Sequence, residues 1–223
     1  MHLPPPSGEV EARSASGGGA NMMKKRVAIL ISGRGSNMAA LIAAAKAADY
    51  PAEIALVISN IETAAGLETA RTAGVATKFI SHKVFASREE FDAAVDSALV
   101  AARIDLVCLA GFMRIQSEGF VRKWEGRMIN IHPSLLPAFK GTRVHEQAIA
   151  AGVTITGCTV HFVVPQLDSG PIIAQAAVPV LPGDTAETLA ARVLEQEHKL
   201  YPAALKLLAE GKVALRDGCA VFV

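Results

Sequence analysis

From Lys24 onward the chain alternates short apolar runs with segments of helical pattern, and that alternation restricts the fold more than any other feature. Val27–Ile31 is the first such run, followed by the turn Ser32-Gly33-Arg34-Gly35-Ser36 and a helical stretch from Asn37 to Ala48. Ile54–Ile58, Thr77–Ile80, Leu106–Leu109 and Met128–Ile131 repeat the strand pattern, with helices predicted over Ala64–Ala73 and Arg88–Ala101 between them. Ser87 and Glu90 read as a capping box for the second of these helices, and Ser117 as the cap of a short helix before the fifth strand. Strands without a polar face must be covered on both sides. The fold class is therefore α/β, a mostly parallel twisted sheet with helices on both faces.

The second half has a different texture. Thr154–Val164 and Ile172–Val180 are long extended segments joined by the turn Pro165-Gln166-Leu167-Asp168-Ser169-Gly170. They predict an antiparallel hairpin added to the sheet edge. Asp184 and Glu187 read as a second capping box, opening a long helix to about Ala209. Gly211 ends that helix, and Lys212–Leu215 with Ala220–Val223 form a short final hairpin.

Composition excludes several classes. The chain has 223 residues, enough for one sizeable core, and a net charge of +1 offers no field to gather nucleic acid or an anionic membrane surface. None of its apolar runs reaches the ~18 residues a spanning helix needs. Cys108, Cys158 and Cys219 are odd in number and far apart, which suits neither a disulfide framework nor a metal site and fits a reducing cytoplasm. Residues 1–22 are rich in Pro, Gly, Ser and Ala without a continuous apolar stretch, and are expected to be a flexible extension to a single domain over 23–223.

Three places carry candidate chemistry. Gly33-Arg34-Gly35-Ser36-Asn37 lies where a strand turns into a helix, so its backbone can approach a ligand closely and the helix amino end can meet a phosphate. A tight connection explains those glycines equally well. Asn130 and His132 stand two apart on an extended segment and face the same side, at the carboxyl end of a strand where open α/β sheets build their sites. An amide and an imidazole held there, with Pro133 and Pro137 stiffening the loop beyond, suit acid–base work. Glu197 falls four after Val193 and three before Leu200, on the core-facing stripe of the last helix. A carboxylate there needs a partner or a ligand, unless it reaches water from the edge of the stripe. His145 and His161 are candidates for supporting contacts, and His2, His82 and His198 read as surface residues.

Asn130-Ile131-His132-Pro133-Ser134-Leu135-Leu136-Pro137 resembles the signature of the formyl-folate enzymes. Together with Gly35-Ser36-Asn37, Ala110-Gly111-Phe112-Met113-Arg114 and Leu167-Asp168-Ser169-Gly170, it resembles the phosphoribosylglycinamide formyltransferases from about Lys25 to about Arg216. The loop reads Asp168-Ser169-Gly170 where many members carry a second glycine.

The resemblance implies a Rossmann-like formyltransferase fold, with a nucleotide-binding half over about 23–124 and a folate and catalytic half over about 125–223. It implies transfer of a formyl group from 10-formyltetrahydrofolate, as co-substrate and without metal, to the amine of a phosphoribosylated glycinamide in purine synthesis. Asn130, His132 and Asp168 are then catalytic, with Asp168 favouring the imidazolium of His132. Gly35, Ser36, Asn37 and Glu197 hold the phosphoribosylglycinamide. Arg88, Met113, Arg114, Ile115, Gln116, Asn130, Val164, Pro165, Gln166, Leu167 and Asp168 hold the folate. Its partners are small molecules, not nucleic acid or membrane, and a homodimer stays open. Three alternatives stand beside this reading: a formyltransferase for another amine, a hydrolase releasing formate from the same folate, and a binding module that transfers nothing.

Overall fold

The computed structural model describes residues 23–223. The expectation for residues 1–22 lies outside the described residues. Strand β1 (Lys25–Ile31) leads through α1 (Ser36–Ala45) to β2 (Ala52–Ser59), then through α2 (Ala65–Thr72) to β3 (Thr77–Phe79). A 3-10 turn, His82–Val84, precedes α3 (Arg88–Ala101), β4 (Leu106–Leu109), α4 (Glu118–Lys123) and β5 (Met128–His132). Then follow α5 (Val144–Ala150), β6 (Ile155–Phe162), β7 (Ile172–Pro179), α6 (Ala186–Ala209) and the hairpin β8 (Val213–Arg216) and β9 (Cys219–Phe222).

The sheet has seven strands in the order β3-β2-β1-β4-β5-β6-β7. Strands β1 to β5 are parallel, and β6 pairs antiparallel with both β5 and β7, so the predicted hairpin does extend the parallel sheet. The chain winds outward from β1 to β3, then crosses back to lay β4 on the other side of β1. The crevice between the carboxyl ends of β1 and β4 is the switch point, where such sheets bind ligands.

Alternation along β1 shows how the two faces are filled. Val27, Ile29 and Ile31 pack with Met38 and Leu41 of α1 and with Leu189, Val193 and Leu205 of α6. Ala28 and Leu30 face the opposite layer, with Phe91, Val95 and Leu99 of α3 and Phe120 and Trp124 near α4. The two-residue period of a strand thus feeds two helical layers, as the apolar runs require.

Ser87 caps α3 as expected, accepting from Glu90 N at 3.1 Å, while the Glu90 carboxylate reaches one residue further back to Ala86 N at 2.9 Å. The second capping box is corrected by one residue: Thr185 and Thr188 cap α6 reciprocally. Asp184 is drawn away, since its carboxylate takes both Arg192 guanidinium nitrogens, at 2.7 and 2.9 Å, and Leu181 N at 2.7 Å. Helix α5, unmarked by any sequence signal used above, buries Val144 and Ala148 under the loop that follows β5.

Candidate active site

Two adjoining cavities open at the switch point. The larger, of about 570 Å³, runs between the ends of β4 and β5, the loop after β5 and the β6–β7 turn. The smaller, of about 240 Å³, lies over the turn that opens α1. Asn37, Gly111 and Met113 line both.

Asn130 and His132 both face the larger cavity from β5, as their two-residue spacing requires. His132 is buried, and acceptors meet both of its ring nitrogens. Nε2 lies 2.9 Å from the Phe139 carbonyl oxygen, and Nδ1 lies 3.5 Å from Asp168 Oδ2. A neutral ring can donate from only one of these nitrogens, and a protonated ring from both. Asp168 is itself fixed by accepting from Gly141 N at 2.9 Å. Its backbone is left-handed, with φ of 46°. Behind it the chain passes so close to β6 that a Cβ on Gly170 would lie 1.7 Å from the Phe162 carbonyl oxygen. Only glycine fits there. Ser169 accepts from Lys140 Nζ at 2.6 Å, tying the turn to the loop after β5.

Asn130 is oriented by a residue that the sequence reading left open. His161 Nδ1–H donates to the Phe162 carbonyl at 2.8 Å, which leaves its Nε2 as the acceptor for Asn130 Nδ2 at 3.2 Å. Burial pushes the His161 pKa down, and the neutral ring is the form that can accept. The amide of Asn130 is thereby held with its nitrogen end assigned.

Glu197 is buried on the core-facing stripe of α6, and its partner is Asn37, whose Nδ2 donates to Oε2 at 2.7 Å. One turn later the Tyr201 hydroxyl sits between the carbonyls of Leu109 and Ile129, at 2.9 and 3.1 Å, fixing the register of α6 against the ends of β4 and β5. Burial raises the Glu197 pKa, against the lowering effects of Asn37 and His132. Asn37 Oδ1 and His145 Nδ1 are buried without a partner among the described residues, and both residues line the larger cavity. They leave an acceptor and a ring nitrogen for a polar ligand to satisfy.

The remaining residues predicted from the sequence fall as follows. Met113, Arg114, Ile115, Gln116, Val164, Pro165, Gln166, Leu167 and Asp168 line the larger cavity, and Gly35 and Ser36 the smaller. Gly35 is left-handed, with φ of 73°, and α1 starts without a side-chain cap or an acidic residue in its first turn. Its amino end is therefore open to an anion. Arg88, exposed at the start of α3, lines neither cavity. His82 and His198 are not plain surface residues: His82 contacts Asn60, and His198 Nε2 is buried without a partner among the described residues. His2 lies outside the described residues. Cys108 and Cys158 are buried with their thiols pushed up to about 12, so neither supplies a thiolate at neutral pH. Among the described residues no three His, Cys, Asp or Glu side chains are grouped to hold a metal, and no helix is long and apolar enough to cross a membrane.

Residues 25–205 match the formyl transferase family. The phosphoribosylglycinamide formyltransferase of Escherichia coli K12 is 43% identical over 194 residues, which cover 87% of this chain and 92% of that one. The chain belongs to the phosphoribosylglycinamide formyltransferase family. The human trifunctional purine biosynthetic protein adenosine-3 is 57% identical over 194 residues, and the match spans only 19% of that protein's length. The crystal structure of glycinamide ribonucleotide transformylase 1 from Symbiobacterium toebii superposes with a TM-score of 0.87 at 45% identity, covering 90% of this chain and 94% of that one. The family's fold is the one described above, an α/β sheet whose antiparallel strands follow the parallel ones.

Proposed function

We propose that the protein transfers the formyl group of 10-formyltetrahydrofolate to the amine of phosphoribosylglycinamide, giving the N-formyl product and tetrahydrofolate. The observation that carries this reading is the convergence of Asn130, His132 and Asp168 on a cavity that shares Asn37 with an anion-suited turn. The phosphate takes the Gly35–Asn37 turn, where unpaired backbone N–H groups and the helix dipole favour negative charge. Glu197 and the free Oδ1 of Asn37 accept from the amine end. The pterin and its linker take the apolar wall of Met113, Ile115, Val164 and Leu167. Arg114 and the exposed Arg88 offer cations to the folate carboxylates.

The neutral amine attacks the formyl carbon and the carbonyl electrons move to oxygen. Asn130 Nδ2–H and the His132 imidazolium stabilise that oxyanion. In the resting geometry His132 Nε2–H is given to the Phe139 carbonyl. A full negative charge is the stronger acceptor and would displace it. Asp168, beside His132 Nδ1, receives through water the proton that the attacking nitrogen sheds. Collapse of the intermediate returns the electrons to the carbonyl and expels N10 of the folate, which takes from Asp168, through water, the proton that the amine shed. Both substrates are small soluble molecules, and a cytoplasmic enzyme without metal or nucleic-acid partner fits them. Incubating the protein with both substrates should yield N-formyl phosphoribosylglycinamide by mass spectrometry, and failure to form it would overturn the assignment.

A further inference from the structure

The two substrate cavities are joined by a set of hydrogen bonds that the proposed mechanism does not use. Ser32, at the carboxyl end of β1, grips the segment after β4 twice. Its N–H donates to the Gly111 carbonyl at 3.0 Å, and its Oγ accepts from Met113 N at 2.8 Å. The hydroxyl proton is then free for one acceptor, and Asn60 Oδ1 takes it at 2.6 Å. Asn60, buried after β2, turns its Nδ2 to His82 Nδ1 at 3.3 Å. His82 stands edge-on to the buried ring of Phe91, which stacks against Phe112 at 6.4 Å between centroids. Phe112 lies between Gly111 and Met113, so the contacts close into a ring: Ser32, Met113, Phe112, Phe91, His82, Asn60 and back to Ser32.

We propose that Ser32 and Asn60 are positioning residues for formyl transfer, fixing the folate wall at Gly111–Met113 against the turn that receives the phosphate. This rests on the functional reading given above. Met113 is solvent-exposed and Gly111 is left-handed, so the segment's side-chain packing rests on Phe112 against Phe91, and its backbone on Ser32. Among the described residues Ser32, which follows β1 and opens the phosphate turn, is the one that hydrogen-bonds it. Transfer needs the amine and the formyl carbon within contact range, and a displacement of about 1 Å between the two loops can cost up to about 100-fold in rate.

The test combines kinetics with amide exchange on the full chain. Ser32→Ala removes the Oγ acceptor, Ser32→Thr restores a hydroxyl, and Asn60→Ala removes the far acceptor without touching the phosphate turn. The expected result for Ser32→Ala and Asn60→Ala is faster exchange of the Met113 amide, with exchange in α6 unchanged. It comes with a kcat about 10- to 100-fold lower, while KM for either substrate moves less than kcat. Ser32→Thr regains protection and turnover. Unchanged Met113 exchange in Ser32→Ala overturns the proposal. So does a loss of turnover that tracks melting temperature across all three variants, because a purely structural residue behaves that way. Wild-type protein that transfers no formyl group overturns the functional reading instead, and the exchange measurements alone then decide whether the clamp exists.

Discussion

Glu197 accepts a hydrogen bond from Asn37 at 2.7 Å, across 160 positions of sequence, and so fastens the last helix to the first turn of α1. The bond places a carboxylate, buried and with its pKa pushed up by that burial, on the wall of the cavity proposed for the amine.

A carboxyl with a raised folded pKa holds more protons when folded than when unfolded. Its contribution to stability therefore falls as pH rises from the unfolded value near about 4.3, and remains a cost above the folded value. Glu197→Gln removes the charge and keeps an acceptor. The variant should melt higher than wild type at neutral pH, with the difference vanishing below about pH 4. Its KM for phosphoribosylglycinamide should rise about tenfold, as expected for losing a hydrogen bond to a charged group, with little change for the folate. Equal weakening for both substrates, or a lower melting temperature at neutral pH, would contradict this.

His132→Ala should leave both substrates bound and cut turnover by about 10² to 10⁴-fold, the usual span for a positioned acid–base group. Isothermal titration separates binding from turnover. Near-normal kcat would exclude His132 from the chemistry.

Gly170→Ala should destabilise the protein by about 2–4 kcal/mol and reduce turnover with it, because a Cβ 1.7 Å from the Phe162 carbonyl forces the β6–β7 turn open and moves Asp168. Gly119→Ala, a helical position with nothing within 4 Å of the added carbon, is the matched control and should be neutral or slightly stabilising. Urea denaturation of the two variants checks the contrast, and equal stability would show that the turn yields without cost.

His161 carries the opposite pH sign to Glu197. Burial lowers its folded pKa, so it contributes stability above the unfolded value near about 6.5 and loses it as pH falls through the lowered one. His161→Gln keeps an acceptor for Asn130 but does not titrate. Between pH 8 and about pH 5 it should lose less stability than wild type by urea denaturation. Parallel losses would mean that the buried ring is not a source of acid sensitivity.

What the sequence revealed, and what it hid, follows the range of each interaction. The strands, their order of appearance and the pairing of Asn130 with His132 were legible because periodicity and strand ends are local. Glu197 was legible as a buried carboxylate for the same reason, since the apolar stripe of α6 is written within a single helix. Its partner Asn37 was not, because nothing in a helix near one end of the chain names a residue near the other. The cap of α6 was misplaced by one residue because Asp184–Glu187 and Thr185–Thr188 offer overlapping registers, and Arg192 decides between them through a contact the pattern does not contain. The contact of His161 with Asn130 and that of Ser32 with Met113 were not legible for the same reason: each bond reaches another strand or loop.

Transfer of formyl to an amine distinguishes the proposed enzyme from a hydrolase of the same folate. The direct measurement follows the loss of 10-formyltetrahydrofolate on mixing with the wild-type protein, with and without phosphoribosylglycinamide. No folate is expected to be consumed without the amine and, once it is added, one N-formyl product should form for each folate consumed. Steady consumption of the folate in the absence of the amine, with release of formate, would contradict this and make the protein a hydrolase.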